Sequence, residues 1–379
     1  MMKGNLISRQ TLAAAILALC TSMAPLTVAA AQTLTDLRGR TVSVPDEINT
    51  IAIDDSRFLL ALSLIDPDPI SHLAAWPKDI NRLGDAYYQG LAKAFPAIDA
   101  LPLVTSSAEN FDMESMLAAD PDVAVVSLSR GPTDAQIATL EAAGIPVVFI
   151  DFFIDPFKHQ APSLELLAKL TGNEQQAKDY LALRDQHLAR ISERLTAQQA
   201  DAKFAAFAKP TVFMEAHAGI SQDCCFSPGT GGVGDYIEFV GGHNIGADVL
   251  SKASGKLNLE YIIANDPDLY IATGGPALEK NGGLVLGAGY TEQQAQTALT
   301  KVASRHGIAD LSAVSKGRVH GLAHQLLNSP LDIVAVEVMA KWVHPTLFAD
   351  LEPAQTLQTI NDNFLAVPYL GTNWVDFPE

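Results

Sequence analysis

The sequence predicts an α/β chain of two lobes, each built on a mainly parallel sheet, joined by a single long α-helix. Three observations carry this. The stretch Phe111 to Ser127, FDMESMLAADPDVAVVS, recurs without a gap 146 residues later as Leu257 to Thr273, LNLEYIIANDPDLYIAT. Short apolar runs alternate with helical patterns through both halves, the signature of parallel α/β layers. Between the halves, Asn173 to Gln199 contains no Gly or Pro and places Ala177, Tyr180, Leu181, the Arg184 stem, Leu188, Ile191 and Leu195 on one stripe, a helix of about 40 Å at 1.5 Å per residue.

Each copy of the repeat reads as a short helix, a proline stop and a buried strand, because the residue before proline is pushed out of the α region. Glu114 and Glu260 occupy matching positions in the first helical turn, where the N-terminal dipole favours a carboxylate. Taken singly, each is a solvated helix-start residue. Matched carboxylates on matched elements of two lobes point instead to one partner touching both.

In the first lobe, LTDLRGRTVSVP predicts a small hairpin around Gly39. Strands are expected at Ile51 to Ile53, Ile70 to Trp76, Leu101 to Thr105, Val123 to Leu128 and Val147 to Ile150, with a helix over Asp134 to Ala143 stopped by Gly144. In the second lobe, strands are expected at Thr211 to Met214, Leu269 to Ala272 and Val319 to Leu322, and an amphipathic helix from about Pro330 to His344. The resulting division is a leader over 1–31, a first lobe over 32–155, a helical connector over 156–203 and a second lobe over 204–379.

Lys3 and Arg9, the apolar run Leu12 to Leu19 and the small residues Ala29-Ala30-Ala31 read as a secretory signal peptide cleaved before Gln32. Lipidation at Cys20 is the alternative, disfavoured by the bulky Leu19 before it. The full chain carries 25 Lys+Arg against 43 Asp+Glu, a net charge of −18. So acidic a chain repels phosphate backbones and excludes nucleic acid as a partner. The expected product is an exported monomer of the periplasm.

Several local patterns compete for a function. Gly229 to Gly234, GTGGVG, satisfies the dinucleotide fingerprint and precedes a helix, but it follows Cys-Cys-Phe-Ser-Pro rather than a hydrophobic strand, so a dinucleotide-dependent enzyme is rejected in favour of a glycine-rich turn. No nucleophile–base pair can be placed, so no catalytic residues are expected. Cys224 and Cys225 are adjacent, lack zinc-site spacing, and after export would remain thiols or close as a vicinal disulfide. His320 and His324 stand four apart, but capture of zinc or manganese would want about three His with a carboxylate and often a His-rich loop, which is missing. Isolated histidines of this kind are read as structural. His217, in MEAHAG just past a strand end, is the exception.

Ligand loops of parallel sheets lie at the carboxyl ends of the strands. The candidate ligand positions are therefore Asp54 to Arg57, Trp76, Lys78, Ser129 and Arg130 in the first lobe, and His217, Cys224, Cys225, Phe226, Thr273 and Gln325 in the second. Arg57 and Arg130 are suited to carboxylate or catecholate oxygens and Trp76 to the body of a ligand. A salt bridge from Arg57 to Asp54 or Asp55 is the competing role.

An exported two-lobed chain with a long mid-chain helix and one Glu per lobe in the setting ϕ-E-x-ϕ-ϕ-A-x-D-P-D-ϕ (ϕ apolar) resembles the substrate-binding proteins of iron-siderophore and cobalamin ABC importers. These are the helix-linked, class III periplasmic binding proteins, with two Rossmann-like lobes. The tail NSPLDIVAVEVMAKWVHPTLFADL is similar to that of iron-complex members, which often carry a Lys-Trp-x-His-Pro-type segment. The resemblance implies that Glu114 and Glu260 dock onto arginines of an inner-membrane permease dimer and that the ligand lies in a shallow cleft between the lobes. It further implies an iron chelate as ligand, a ferric siderophore above all, with cobalamin, haem or an oxyanion such as molybdate as alternatives. The iron would arrive already coordinated, so neither cofactor nor protein metal ligand is expected.

Processing supplies the first test. N-terminal sequencing of the exported protein is expected to start at Gln32. An acylated Cys20 would contradict the assignment.

Overall fold

A computed structural model describes residues 31–107, 109–200, 209–221 and 224–378. The leader before Ala31, with Cys20, and the boundary expected at 203/204 lie outside the described residues. The first lobe opens with the hairpin β1 (Ala31–Thr35) and β2 (Thr41–Pro45). Its turn passes through Gly39 at φ 75°, a left-handed conformation that favours glycine. The hairpin leans on the lobe through Arg40, whose Nη2 donates to the Val147 carbonyl at 2.6 Å.

Then follow β3 (Ile51–Ile53), α1 (Ser56–Ile65), β4 (Leu73–Ala75), α2 (Asp85–Ala94), α3 (Met113–Ala119), β5 (Val123–Ser127), α4 (Asp134–Ala142) and β6 (Val147–Ile150). The strands form one parallel sheet in the order β4-β3-β5-β6. The strand expected over Leu101 to Thr105 shrinks to a single bridge between Trp76 and Leu103. Leu103 is exposed there, so no buried face rewards a longer pairing.

Two helices connect the lobes, α5 (Pro156–Thr171) and the long α6 (Glu174–Ala200). The predicted stripe is the packed one: Ala177, Tyr180, Leu181, Arg184, Ile191 and Leu195 are covered, while Leu188 is only half-buried against the core.

The second lobe contains β7 (Thr211–Glu215), β8 (Phe226–Pro228), α7 (Gly234–Phe239), β9 (His243–Asn244), β10 (Ser254–Lys256), α8 (Leu259–Asn265), β11 (Leu269–Gly274), α9 (Glu292–Ala303), α10 (Ser312–Ser315), β12 (Val319–Ala323), α11 (His324–Leu327), α12 (Asp332–Val343), α13 (Pro353–Asn363) and β13 (Trp374–Asp376). Its sheet runs β13-β12-β11-β7-β9, parallel except for the antiparallel edge strand β13. A strand does precede the glycine-rich turn, contrary to expectation, but β8 pairs only with β10 in a two-stranded antiparallel ribbon. The turn therefore lacks the parallel-sheet context of a dinucleotide site. A Cβ on Gly229 would collide with the carbonyls of Leu250 and Lys252, so packing explains that glycine.

The repeat is a structural repeat down to its capping. Asp112 and Asn258 cap α3 and α8 by accepting from the backbone N–H groups of Glu114 and Glu260. Asp120 and Asp266 end the two helices in the left-handed region, at φ 45° and 40°. The last Asp of each DPD triplet then grips the start of the first strand of its lobe's parallel sheet, β3 or β7. Asp122 accepts from the N–H groups of Asn49 and Thr50 at 2.8 and 2.9 Å, and Asp268 from the N–H of Thr211 at 2.9 Å. Accordingly β5 pairs with β3 and β11 with β7 in matching register.

The helix expected to be amphipathic near the C-terminus is instead buried almost all round, with Lys341 the one residue of α12 left partly open. Its two acidic residues are tied to α6 across the lobe boundary. Arg184 makes a bidentate pair with Asp332 at 3.0 and 2.6 Å, both side chains almost fully covered. Glu337 accepts from Arg190 and, at 2.6 Å, pairs with His187. The chain also returns to the first lobe near its end, where the Ala366 N–H donates to the Ser63 carbonyl and Tyr369 packs edge-on against Tyr87. Among the described residues, no helix is long and apolar enough to cross a membrane.

Removing one partner of a buried ion pair leaves an uncompensated charge. Arg184→Met is expected to lower stability by about 3–5 kcal/mol in chemical denaturation. The double variant Arg184→Met/Asp332→Leu should recover most of that loss. A single variant as stable as the parent would show that the pair does not hold α6 to α12.

Candidate functional site

The carboxyl ends of the two parallel sheets face each other across a cleft of about 460 Å³. From the first lobe it is lined by Arg57, Arg82, Ser107, Ser129, Arg130 and Phe153. Ala277 and the polar group His217, His324, Gln325 and Asn328 form the opposite wall.

The first wall is organised by consecutive aspartates at the end of β3. Both oxygens of Asp54 accept from the Ser127 N–H at 3.0 and 3.1 Å, while its carbonyl accepts from the Ser107 N–H, which ties the ends of neighbouring segments together. Burial, with Asp55 beside it, pushes the Asp54 carboxyl well above its ordinary range. Asp55 caps α1 by accepting from the Arg57 N–H. Its carboxylate also accepts from Arg57 Nε at 2.9 Å, Arg57 Nη2 at 2.6 Å and the Ser107 hydroxyl at 2.7 Å, and it pairs with Arg82 Nη1. Burial would raise the Asp55 carboxyl, but the charge and hydrogen bonds of Arg57, helped by Arg82, outweigh it and hold the group at about 2. Asp79 completes the frame, pairing with Arg82 Nε at 2.8 Å and accepting from the Ser106 hydroxyl at 2.6 Å. Arg57 therefore fills both roles considered for it, bridging to Asp55 and still lining the cleft with a fifth of its side chain exposed. Phe153 is aimed by Asp151 at the end of β6, which accepts from the N–H groups of Phe153 and Ile154 at 3.0 Å each.

The second wall comes from the turns after β7 and β12. His217 holds a left-handed backbone at φ 53°, and its N–H donates to Thr273 Oγ1 at 3.1 Å. The same hydroxyl lies 2.9 Å from His324 Nδ1. The two imidazoles pack together with ring centres 4.1 Å apart. Burial lowers the affinity of both rings for a proton; for His217 the Arg57 charge adds to this, and for His324 its neighbours His217 and Arg57 do. The side-chain oxygens of Gln325 and Asn328 are buried without a hydrogen-bond partner among the described residues.

The structure thus gathers Arg57, Ser129, Arg130, His217 and Gln325 around one cleft. Trp76 is elsewhere. It is fully buried in the core, stacked on Tyr88 at 5.9 Å, where the chain just past β4 makes a parallel bridge to Leu103 and the indole points to the core. Lys78 is occupied at the surface by Asp99 at 3.1 Å. Cys224 and Cys225 form a vicinal disulfide across a cis peptide bond, but they are buried and do not line the cleft. Phe226 is exposed in β8 and does not line it either; its carbonyl accepts from the Ala216 N–H. Thr273 is buried one layer back, where it positions both histidines.

Arg82, Ser107, Phe153, Ala277, His324 and Asn328 are the additions that strand-end reasoning missed. Arg82 lies in a turn of 3-10 helix with no strand before it. His324 carried a usable signal, since it directly follows β12. His320, four residues earlier, is at the other end of that strand, paired with Asp376 at 2.7 Å and stacked on Trp342. It borders a separate concavity of about 550 Å³ within the second lobe, where Asp376 pairs with His320 and accepts from Trp342 Nε1.

Solved structures share this architecture. A TroA-like periplasmic binding protein named FepB, from Veillonella parvula, matches with a TM-score of 0.78 at 23% identity, over 91% of this chain and 99% of that one. MolA of Haemophilus influenzae, bound to molybdate, gives 0.66 at 18% identity over 90% and 99%. A periplasmic heme-binding protein from Pseudomonas aeruginosa gives 0.57 at 17% identity over 88% and 99%. No curated protein sequence matches the chain significantly. The family model described as periplasmic binding protein matches residues 79–326, which span the cleft from both sides. With two facing α/β lobes, a long linking helix and a ligand-sized cleft between them, the chain belongs to the periplasmic binding protein family, the substrate-binding components of ABC importers.

Proposed function

We propose that the protein captures an anionic metal chelate of the ferric siderophore class in the inter-lobe cleft and hands it to an inner-membrane permease dimer. One observation carries the reading. In a chain of net charge −18, three arginines line one wall of the cleft. Arginine donors fixed in a partly desolvated cleft suit carboxylate or catecholate oxygens, and Phe153 offers an apolar surface to the chelator body. The cleft falls within the size of ordinary small-molecule sites, roughly 300–1,000 Å³. A free oxyanion is the second reading, favoured by the Ser107 and Ser129 hydroxyls beside the arginines and by the likeness to a molybdate-bound protein.

Delivery rests on Glu114 and Glu260. Both are exposed, each in the first turn of an equivalent helix, one per lobe. Carboxylates so placed are free to make charge-assisted pairs with permease arginines.

Calorimetric titration with ferric citrate, a ferric catecholate and sodium molybdate separates the readings. Arg57→Ala/Arg130→Ala is expected to weaken ferric-chelate binding at least roughly tenfold, about 1.4 kcal/mol. An unchanged dissociation constant would remove both arginines from the site, and tight molybdate binding without chelate binding would favour the oxyanion. Glu114→Ala/Glu260→Ala should keep full ligand affinity and impair uptake in cells. Normal transport by that variant would contradict the docking role.

A further inference from the structure

The cleft has two chemically different walls, and only one of them is explained by an anion. Opposite the arginines stand two adjacent imidazoles and two amide oxygens that lack partners among the described residues. The unpartnered atoms of that amide pair are oxygens, which accept hydrogen bonds and so call for donors on the ligand rather than for an anion. The imidazoles are held rather than loosely placed. Thr273 Oγ1 accepts the His217 backbone N–H and contacts His324 Nδ1. In the tautomer with Nδ1–H donating to that hydroxyl, His324 Nε2 carries a lone pair, the arrangement that hydrogen-bond partners impose on metal-binding histidines. No side-chain hydrogen bond within the described residues occupies His217.

From this geometry we propose that His217 and His324 coordinate the metal of the bound chelate directly, so that the cargo is a chelate with open coordination positions. The inference rests on reading the cleft as a chelate site and narrows the class of chelate. Two imidazoles suit first-row metals such as iron, nickel or copper. Among the described residues, no third His, Cys or carboxylate joins this pair in a cluster able to hold an ion. The pair therefore does not make a site for a bare ion, and the remaining donors must come from the chelator. The arginines opposite then hold the chelator's anionic arms, while Gln325 and Asn328 accept from its hydroxyl or amide donors or from a metal-bound water. A hexadentate chelate, with its metal fully wrapped, would leave both histidines unused.

The test compares two anionic nickel chelates on the untagged, full-length protein. Nickel–nitrilotriacetate is tetradentate and leaves positions open; nickel–EDTA is hexadentate and leaves none. Nickel–nitrilotriacetate is expected to bind at least roughly a hundredfold more tightly, with its visible absorption bands shifted by the added nitrogen ligands. His217→Gln and His324→Gln should each weaken it at least roughly tenfold and leave nickel–EDTA unaffected. Substitution of the exposed His306 should change neither. If His324→Gln fails to fold, His217→Gln and the parent's absorption spectrum still decide. Equal affinity for the two chelates, or histidine variants that bind like the parent, would overturn the inference. Should both chelates bind equally and both be lost in Arg57→Ala/Arg130→Ala, the anionic-chelate reading stands and only histidine ligation falls. Should neither bind while molybdate does, the chelate reading itself falls.

Discussion

The cleft depends on one buried carboxylate. Asp55 ends the loop after β3, caps α1, and receives Arg57, Arg82 and the Ser107 hydroxyl on two oxygens. Free arginine side chains carry about 2 kcal/mol of rotamer entropy. Fixing two of them before a ligand arrives removes that cost from binding, so the wall is organised in advance. Asp55 also cancels part of their charge. A wall of three arginines facing Asp55 and Asp79 is cationic without being so strongly charged that it holds any passing anion.

The second requirement is that the walls stay opposite each other. The long helix α6 supplies the span, and Arg184–Asp332 and the Glu337 cluster lock it to a helix buried inside the second lobe. Further bonds cross the boundary from Tyr180 to the Pro330 carbonyl, from the Gly232 N–H to the Ile154 carbonyl and from the Ala366 N–H to the Ser63 carbonyl. Contacts on several sides of the cleft restrain large hinge motions, in contrast to two-lobed proteins that clamp about flexible strands.

Much of the fold was legible because its signals are periodic and local. The α6 stripe, the β6 run and the DPD repeat each encode one element in a short window, and the repeat correctly equated Glu114 with Glu260. Signals that depend on distant partners were not legible. The apolar run of α12 looked amphipathic because Asp332, Glu337 and Lys341 interrupt it, yet two of these three are neutralised by residues about 150 positions away. The site divided in the same way. Strand-end reasoning led to Arg57, Ser129, Arg130, His217 and Gln325, all of which line the cleft, whereas Trp76 also follows a strand but is buried in the core. Arg82 reaches the cleft only through Asp55 and Asp79, a tertiary arrangement with no trace in spacing.

The central claim is that a metal chelate sits between the arginines of the first lobe and the histidines of the second. Anomalous diffraction at the iron edge, from crystals grown with a ferric chelate, measures this directly. A single strong anomalous peak is expected in the cleft, with Arg57, Arg82 and Arg130 around the chelator on one side and His217 and His324 next to the metal on the other. A peak in the concavity beside Trp342, or a fully occupied chelate bound outside the inter-lobe cleft, would contradict it.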